Sequence, residues 1–199
     1  MTRQEGILLF HSMHPDFFEN ENIRNMPDEW ICEEMILSLD KFKPCIYDRK
    51  LDTNISFGYY QRDKEPSLSG ISPSPRDTSE IKKAVEKVDQ DWPQYFTENQ
   101  RIYCGYVNGK IASFCIIANL GMHNLNGRKV KVGGPGCVGT LPEYRNRGIG
   151  LTMVKNVTQI LKDEGYDYSY IHYTGVAPWY EKLGYETSIK WTGKGILNE

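Results

Sequence analysis

Long hydrophobic runs are missing from this chain of 199 residues. No stretch approaches the ~20 apolar residues that a membrane-spanning helix requires. The apolar run from Gly6 to Phe10 is also shorter than the core of a secretion signal. These absences predict a protein of the cytoplasm that has no membrane partner.

Paired cysteine motifs are missing as well. There are five cysteines, an odd number, and no two of them have Cys-x-x-Cys spacing. His11 and His14 are close enough to suggest a metal, but no carboxylate or cysteine lies in register with them. We therefore expect buried free thiols and no metal ion.

An excess of positive charge is also absent. The formal net charge is −2 and the pI is about 6.1, which argues against nucleic acid as a partner because phosphate backbones select for clustered positive charge. Residues 1–50 hold six basic and ten acidic side chains, so the excess of acid lies there. Two explanations stay open: a cationic amine partner, or the solvated face of a helix.

The most informative segment that is present runs from Arg145 to Gly150, with the sequence Arg-Asn-Arg-Gly-Ile-Gly, before a predicted amphipathic helix. Gly148 and Gly150 allow the backbone to approach a ligand closely, and the first helical turn has N–H groups without partners. The helix dipole, Arg145 and Arg147 would add positive charge. The segment therefore predicts a site for a phosphate or pyrophosphate.

Two common phosphate-binding loops do not fit this segment. A Walker A loop requires Gly-Lys before Ser or Thr, but Leu151 and Thr152 follow Gly150. A dinucleotide-binding loop requires a third glycine where this chain has Met153. A plain strand-to-helix turn is the simplest alternative that remains.

A second motif follows about 30 residues later. Alternating residues from Tyr166 to Tyr173 predict a strand, and Ala177–Tyr185 predict a short helix that presents Tyr180 and ends at Gly184. The two motifs in this order resemble the acetyl-coenzyme A signature of the GNAT superfamily of N-acetyltransferases. The resemblance covers roughly residues 55 to 191.

The resemblance implies an α/β (α+β) GNAT fold: a mixed, mostly antiparallel twisted sheet flanked by helices, with a splayed central strand pair. We expect an N-terminal extension at 1–50 and the acetyltransferase domain at 51–199. The extension is predicted to hold one helix starting near Pro27. Ile55–Tyr60 predict a strand, Pro66–Pro75 an exposed loop, and Asn108-Gly109 the turn of a hairpin.

A glycine-rich stretch interrupts the strand that precedes the phosphate loop. Gly133-Gly134-Pro135-Gly136 cannot form a regular ladder, so we expect a bulge or splay between Val130 and Val138. In GNAT folds an opening at this place admits the pantetheine arm. The backbone of Cys137, Val138 and Gly139 would then bind pantetheine, and the Val138 N–H would stabilise the oxyanion.

The resemblance also assigns the remaining site residues. Tyr180 takes the place of the general acid that protonates the leaving thiolate. Thr174 stands where many members have an asparagine that contacts the cofactor. The predicted pyrophosphate site comprises Arg145, Asn146, Arg147, Gly148, Ile149 and Gly150. Cys137 is interpreted as a wall of the site and not as a nucleophile.

The general base stays undetermined at this point, with candidates Glu143, His123, His172, Asp91 and Glu98. The predicted function is acetyl transfer from acetyl-CoA to a primary amine, and a small cationic molecule is the favoured acceptor. The alternatives are a peptide or protein acceptor and an acyl-CoA sensor without turnover. A homodimer is left open.

Overall fold

In a computed structural model, which describes residues 1–60 and 77–198, eight strands form one open mixed sheet. Along the sheet the order is β2-β3-β4-β5-β6-β1-β7-β8. The strands are β1 (Cys32–Ser38), β2 (Ile55–Tyr59), β3 (Ile102–Val107), β4 (Lys110–Leu125), β5 (Arg128–Thr140), β6 (Tyr168–Thr174), β7 (Glu186–Thr192) and β8 (Gly195–Ile196). The predicted loop Pro66–Pro75 lies outside the described residues.

Five α-helices flank this sheet in the described part of the chain. They are α1 (Arg3–Met13), α2 (Glu21–Arg24), α3 (Ser79–Glu86), α4 (Ile149–Asp163) and α5 (Ala177–Glu181). Helix α4 is followed by Gly165, which has a φ of 74° and an N–H that bonds to the Lys162 carbonyl.

Antiparallel pairing dominates the sheet, as expected. Strand β1 pairs antiparallel with both β6 and β7, and β2–β3, β3–β4 and β7–β8 are antiparallel too. Strands β5 and β6 pair in parallel through Val132↔Tyr168 and Gly133↔Ser169. If β5 and β6 splay apart as predicted, they can pair in parallel only over a short stretch of this kind.

One compact unit comprises residues 48–118 and 135–157. Its hairpin β3–β4 turns at Asn108 (φ 50°) and Gly109 (φ 74°), the positive φ angles that the Asn-Gly pair predicts. Its core packs α3 against the strands through buried apolar residues that include Ile81, Val85, Phe96, Ile102, Phe114 and Leu141.

The other unit comprises residues 1–47, 119–134 and 158–199. Helix α1 supplies Leu9 to a cluster with Ile36 and Tyr170, and Phe10 to a cluster with Ile189 and Trp191. These six side chains are each 5% exposed or less. The domain division at residue 50 stays a prediction.

The predicted helix near Pro27 to Leu39 is wrong. Residues 32–38 form β1, whose side chains are buried on both faces of the strand. A strand with both faces buried lacks the alternation of apolar and polar residues that normally identifies a strand. Its apolar residues can then be mistaken for the apolar face of a helix.

The sequence interpretation also missed helix α1. Thr2 caps this helix, since its hydroxyl accepts from the Glu5 N–H at 3.2 Å and the Glu5 carboxylate accepts from the Thr2 N–H at 2.9 Å. The spacing Thr-x-x-Glu before an apolar run is the recognised signal of such a helix start. Within residues 1–60 and 77–198, no helix has the length and apolar character needed to cross a membrane.

Candidate functional site

The predicted phosphate loop has the backbone conformation of an anion cradle. Asn146 (φ 61°) and Gly148 (φ 79°) both lie in the left-handed region. The first bond into α4 runs from the Thr152 N–H to the Gly148 carbonyl at 3.1 Å. The N–H groups before Thr152 therefore have no partner within the helix, and they fit a phosphate.

Both arginines of the loop take part in its construction. Arg145 Nε donates to the Thr140 carbonyl at 3.1 Å, which ties the loop to the end of β5. Arg147 pairs with Asp52 at 2.9 Å in an exposed salt bridge, and its guanidinium lies 5.9 Å from the centroid of the Tyr144 ring. An exposed ion pair of this kind is weak, so Arg147 can exchange Asp52 for a phosphate at small cost.

A third arginine at the loop was missed by the sequence interpretation. Arg49 donates from its guanidinium to the Asn146 carbonyl at 3.0 Å. Nothing in the local pattern of Arg49-Lys50 predicts this contact, because 97 residues separate the two partners. Arg49 joins Arg145 and Arg147 as a source of positive charge at this turn.

Ile149 is a core residue and not a ligand-facing side chain. It is 1% exposed and packs with Val107 and Ala112. Its contribution to the predicted phosphate site is thus limited to its backbone N–H. Gly150 is also buried.

The predicted irregularity in β5 is present at Cys137, whose φ is 47°. A left-handed residue within a strand is the signature of a bulge. Burial, and then the charge of Asp89, raises the pKa of the Cys137 thiol to about 11. The thiol is therefore protonated at neutral pH and a poor nucleophile.

Close packing inside the protein explains why residue 139 is a glycine. A Cβ at Gly139 would collide with the ring of Phe114, a core residue of the same unit. Val138, next to it, is half-buried. Close packing against Phe114 thus accounts for the glycine at this position.

Tyr180 lies on α5, the short helix predicted from the sequence. Its side chain is 6% exposed, and its ring meets Trp179 and Tyr185 edge-on at 4.8 and 6.0 Å. The turn that follows the helix contains Gly184, which has a φ of 86° and an N–H that bonds to the Glu181 carbonyl at 2.8 Å. The expected helix with its tyrosine and terminal glycine is therefore present.

Thr174 is buried at the end of β6. Its hydroxyl accepts the Val176 N–H at 3.1 Å and so shapes the turn into α5. The hydroxyl keeps its own proton, which can still be donated to a ligand carbonyl. The predicted contact between Thr174 and the cofactor stays a prediction.

The five candidates for the general base have different surroundings. Glu143, Asp91 and Glu98 are exposed. The ring nitrogens of His123 both have partners, the Ser12 hydroxyl and the Leu120 carbonyl, each at 2.8 Å. His172 pairs with the buried carboxylate of Glu34 at 2.9 Å.

Two other features of the described residues bear on the site. A groove of about 630 Å³ lies beside α5 and β7, but it is lined by none of the predicted site residues. Among residues 1–60 and 77–198, no group of three or more His, Cys, Asp or Glu side chains is placed to hold a metal ion. His14 instead stacks on His172, with ring centroids 4.1 Å apart.

The comparison with sequence families found one match, to the family described as acetyltransferase (GNAT) domain. It covers residues 75–188, which is more than half of the chain. No curated protein matches.

Solved structures with the same fold include three GCN5-related N-acetyltransferases. One is a glucosamine N-acetyltransferase region of a fungal multi-domain GH3 β-N-acetylglucosaminidase, with 20% identity, a TM-score of 0.62, and coverage of 82% of this chain and 20% of that one. The second, from Sphaerobacter thermophilus, has 18% identity, a TM-score of 0.55, and coverage of 81% and 50%.

The third, from Kribbella flavida, has 13% identity, a TM-score of 0.53, and coverage of 81% and 56%. The chain thus spans between a fifth and just over half of the length of these proteins. At such identities the likeness concerns the fold.

Proposed function

Because the chain belongs to the GNAT acetyltransferase domain family, we propose that it transfers the acetyl group of acetyl-CoA to a primary amine in the cytoplasm. Family membership makes the chain an acyltransferase. To this we add two assignments, the identity of the acyl donor and the identity of the acceptor.

The observation that carries the choice of donor is the turn before α4. It combines left-handed backbone at Asn146 and Gly148 with three arginines, at 49, 145 and 147. Unpaired N–H groups, a helix dipole and fixed cations together suit the pyrophosphate of coenzyme A. We assign the pantetheine arm to the backbone of Cys137, Val138 and Gly139, with Thr174 as a further contact.

Two chemical steps need help from the protein. An amine with a pKa near 10.4 costs roughly 4 kcal/mol to deprotonate at pH ~7.4, so a base must assist. The departing thiolate needs a proton, which we assign to Tyr180. The oxyanion that forms between these steps would be stabilised by the Val138 N–H.

We favour a small cationic acceptor because acidic side chains outnumber basic ones in residues 1–50 by ten to six. Glucosamine belongs in the acceptor panel because the fungal neighbour is described as a glucosamine N-acetyltransferase. Spermidine and lysine amide represent polyamines and lysine-like amines, and a peptide with a free N-terminus represents the rival acceptor class.

The test is release of free CoA from acetyl-CoA with each member of this panel, together with calorimetry of acetyl-CoA and desulfo-CoA. We expect micromolar binding of both nucleotides and turnover with at least one small cation. Binding without turnover on any amine would contradict the enzymatic proposal and favour an acyl-CoA sensor. Absence of binding would refute the donor assignment itself.

Tyr180→Phe tests the assigned acid. We expect kcat to fall by about 10²-fold, within the range of general acid catalysis, while the Kd of acetyl-CoA changes less than twofold. Tyr95→Phe, which alters an exposed tyrosine, is the control and should retain full turnover. A Tyr180→Phe protein with unchanged kcat would show that another group protonates the thiolate.

A further inference from the structure

His172 and Glu34 form a carboxylate–imidazole pair that the proposed cofactor contacts do not use. His172 Nδ1 lies 3.0 and 2.9 Å from the two oxygens of the Glu34 carboxylate. The side chain of Glu34 is fully buried, whereas that of His172 is 33% exposed. A buried acid thus holds a ring that reaches the surface.

Three donors keep the Glu34 carboxylate in place. In addition to His172, the Tyr173 N–H donates to Oε1 at 3.1 Å and the Trp191 Nε1–H donates to the same oxygen at 2.7 Å. A buried carboxylate without such partners would cost several kcal/mol. These bonds fix the position of the carboxylate between β6 and β7.

The contact with the Glu34 carboxylate determines which nitrogen of His172 carries the proton. A carboxylate can only accept, so Nδ1 must be the donor. In the neutral ring Nε2 then has a free lone pair. This is the arrangement in which an acid partner orients a histidine for proton abstraction.

Apart from the Glu34 carboxylate, the side chains that contact the His172 ring are aromatic or imidazole rings. His14, at the end of α1, stacks on the ring at 4.1 Å, and Phe17 meets it edge-on at 5.2 Å. Burial, then the charge on His172, lowers the pKa of His14 to about 4, with Glu34 acting in the opposite direction. Burial also raises the pKa values of Cys32, Tyr170 and Tyr173, so these three side chains are protonated and uncharged at neutral pH.

We propose that His172 Nε2 is the general base that deprotonates the acceptor amine, and that Glu34 is its positioning residue. The inference rests on the proposed acetyl transfer. His172 lies on β6 two residues before Thr174, in the same compact unit as Tyr180. Of the five sequence candidates, it alone has a fully buried carboxylate as its partner.

The protons balance in this scheme. Nε2 takes one proton from the ammonium group and later releases it to water. The free amine attacks the thioester carbonyl, the C–N bond forms and the C–S bond breaks. The thiolate takes the Tyr180 proton, and the second proton lost by the nitrogen restores Tyr180.

His172→Gln tests the base, with His11→Gln at an exposed histidine as the matched control. With spermidine, glucosamine and lysine amide as probes, we expect His172→Gln to lower kcat/KM by about 10²–10³-fold at pH 7. The loss should shrink as the pH approaches 10, because the free amine then no longer needs a base. The Kd of acetyl-CoA and the turnover of His11→Gln should stay at wild-type values.

Glu34→Gln tests the positioning role. The amide keeps the shape of the acid and still accepts from Tyr173 and Trp191, but its NH₂ group donates to His172 Nδ1 and moves the ring proton to Nε2. We expect a loss of kcat/KM close to that of His172→Gln and a nitrogen-15 NMR signal showing the changed tautomer. A structural role alone would leave the pH profile of kcat/KM with its wild-type shape.

The outcomes separate the two proposals. Wild-type protein without turnover on any amine would overturn the acetyl-transfer proposal and this inference together. Wild-type turnover that His172→Gln leaves unchanged would overturn the inference alone. If the variants do not fold, carbethoxylation of the wild-type protein tests the base instead. Modification of His172 should abolish turnover, and hydroxylamine should restore it. Full activity after modification of His172 would refute its role as the base.

Discussion

At the residue scale, the turn before α4 depends on a conformation that only glycine adopts without strain. Gly148 has a φ of 79°, and its neighbour Ile149 is held in the core. The chain therefore has little freedom to change the path of this turn. A substitution at Gly148 would therefore directly alter the proposed phosphate site.

We predict that Gly148→Asp abolishes measurable binding of acetyl-CoA in calorimetry. The new carboxylate would repel the pyrophosphate, and its Cβ would stand where the backbone must approach the ligand. Gly109→Asp is the control, since Gly109 has a φ of 74° in the β3–β4 turn with open space around it. Both variants should lose about 1 kcal/mol of stability, but Gly109→Asp should keep wild-type affinity. Equal affinity in both would refute the cradle.

A second residue-scale prediction concerns Cys137. Its pKa of about 11 means that only a minute fraction is thiolate at pH 7.5. We expect Cys137→Ala to keep kcat within a factor of three and to show no acetylated enzyme in rapid-quench mass spectrometry of either protein. An acetyl-cysteine adduct in the wild type that disappears in Cys137→Ala would establish a covalent intermediate instead.

At the scale of elements, β5 approaches β6 through a glycine. A Cβ at Gly134 would collide with the carbonyl oxygen of Tyr170, which is backbone and cannot rotate away. Gly136, two residues further along β5, has nothing within 4 Å of the corresponding position. The same strand thus holds one glycine that is required for packing and one that is not.

We predict that Gly134→Ala destabilises the protein by about 2–4 kcal/mol, the upper range for overpacking, because backbone must move. Gly136→Ala should change the free energy of unfolding by less than about 1 kcal/mol. Urea denaturation followed by circular dichroism checks both values. Similar stabilities for the two variants would contradict the close approach of β5 to the Tyr170 carbonyl.

Elements with strong local signals were predictable from the sequence. The Asn108-Gly109 turn, helix α3 and helix α4 with its Gly165 stop all rest on short-range backbone preferences. Strand β1 was not predictable in this way. Its acidic residues resemble a helix first turn, and only the partners of Glu34 in β6 and β7 explain a buried carboxylate there.

At the scale of the whole molecule, His14 links folding to pH. Its pKa is lowered by burial from 6.5 to about 4 in the native state. The unfolded chain binds this proton first as the pH falls, so stability is complete above pH ~6.5 and decreases between pH 6.5 and about 4. His14 contributes at most about 3.5 kcal/mol to this loss, because each pKa unit corresponds to about 1.4 kcal/mol.

We predict that His14→Gln flattens the dependence of the urea midpoint on pH between 6.5 and 4.5. Wild-type protein and His11→Gln should lose stability in parallel over this range, since His11 is exposed. A series of urea denaturation curves at half-unit pH steps gives the comparison. Parallel slopes for all three proteins would show that His14 is protonated equally in the native and unfolded states.

The sequence by itself determined the loop chemistry at Arg145–Gly150, the Tyr180 helix and the family resemblance, because these depend on residues that are close along the chain. Only the tertiary structure decided the place of β1, the contact of Arg49 with Asn146 and the pair of Glu34 with His172. Arg49 and Asn146 are 97 residues apart along the chain, and Glu34 and His172 are 138 residues apart. Such contacts form through the packing of the folded chain, and local backbone preferences carry no record of them.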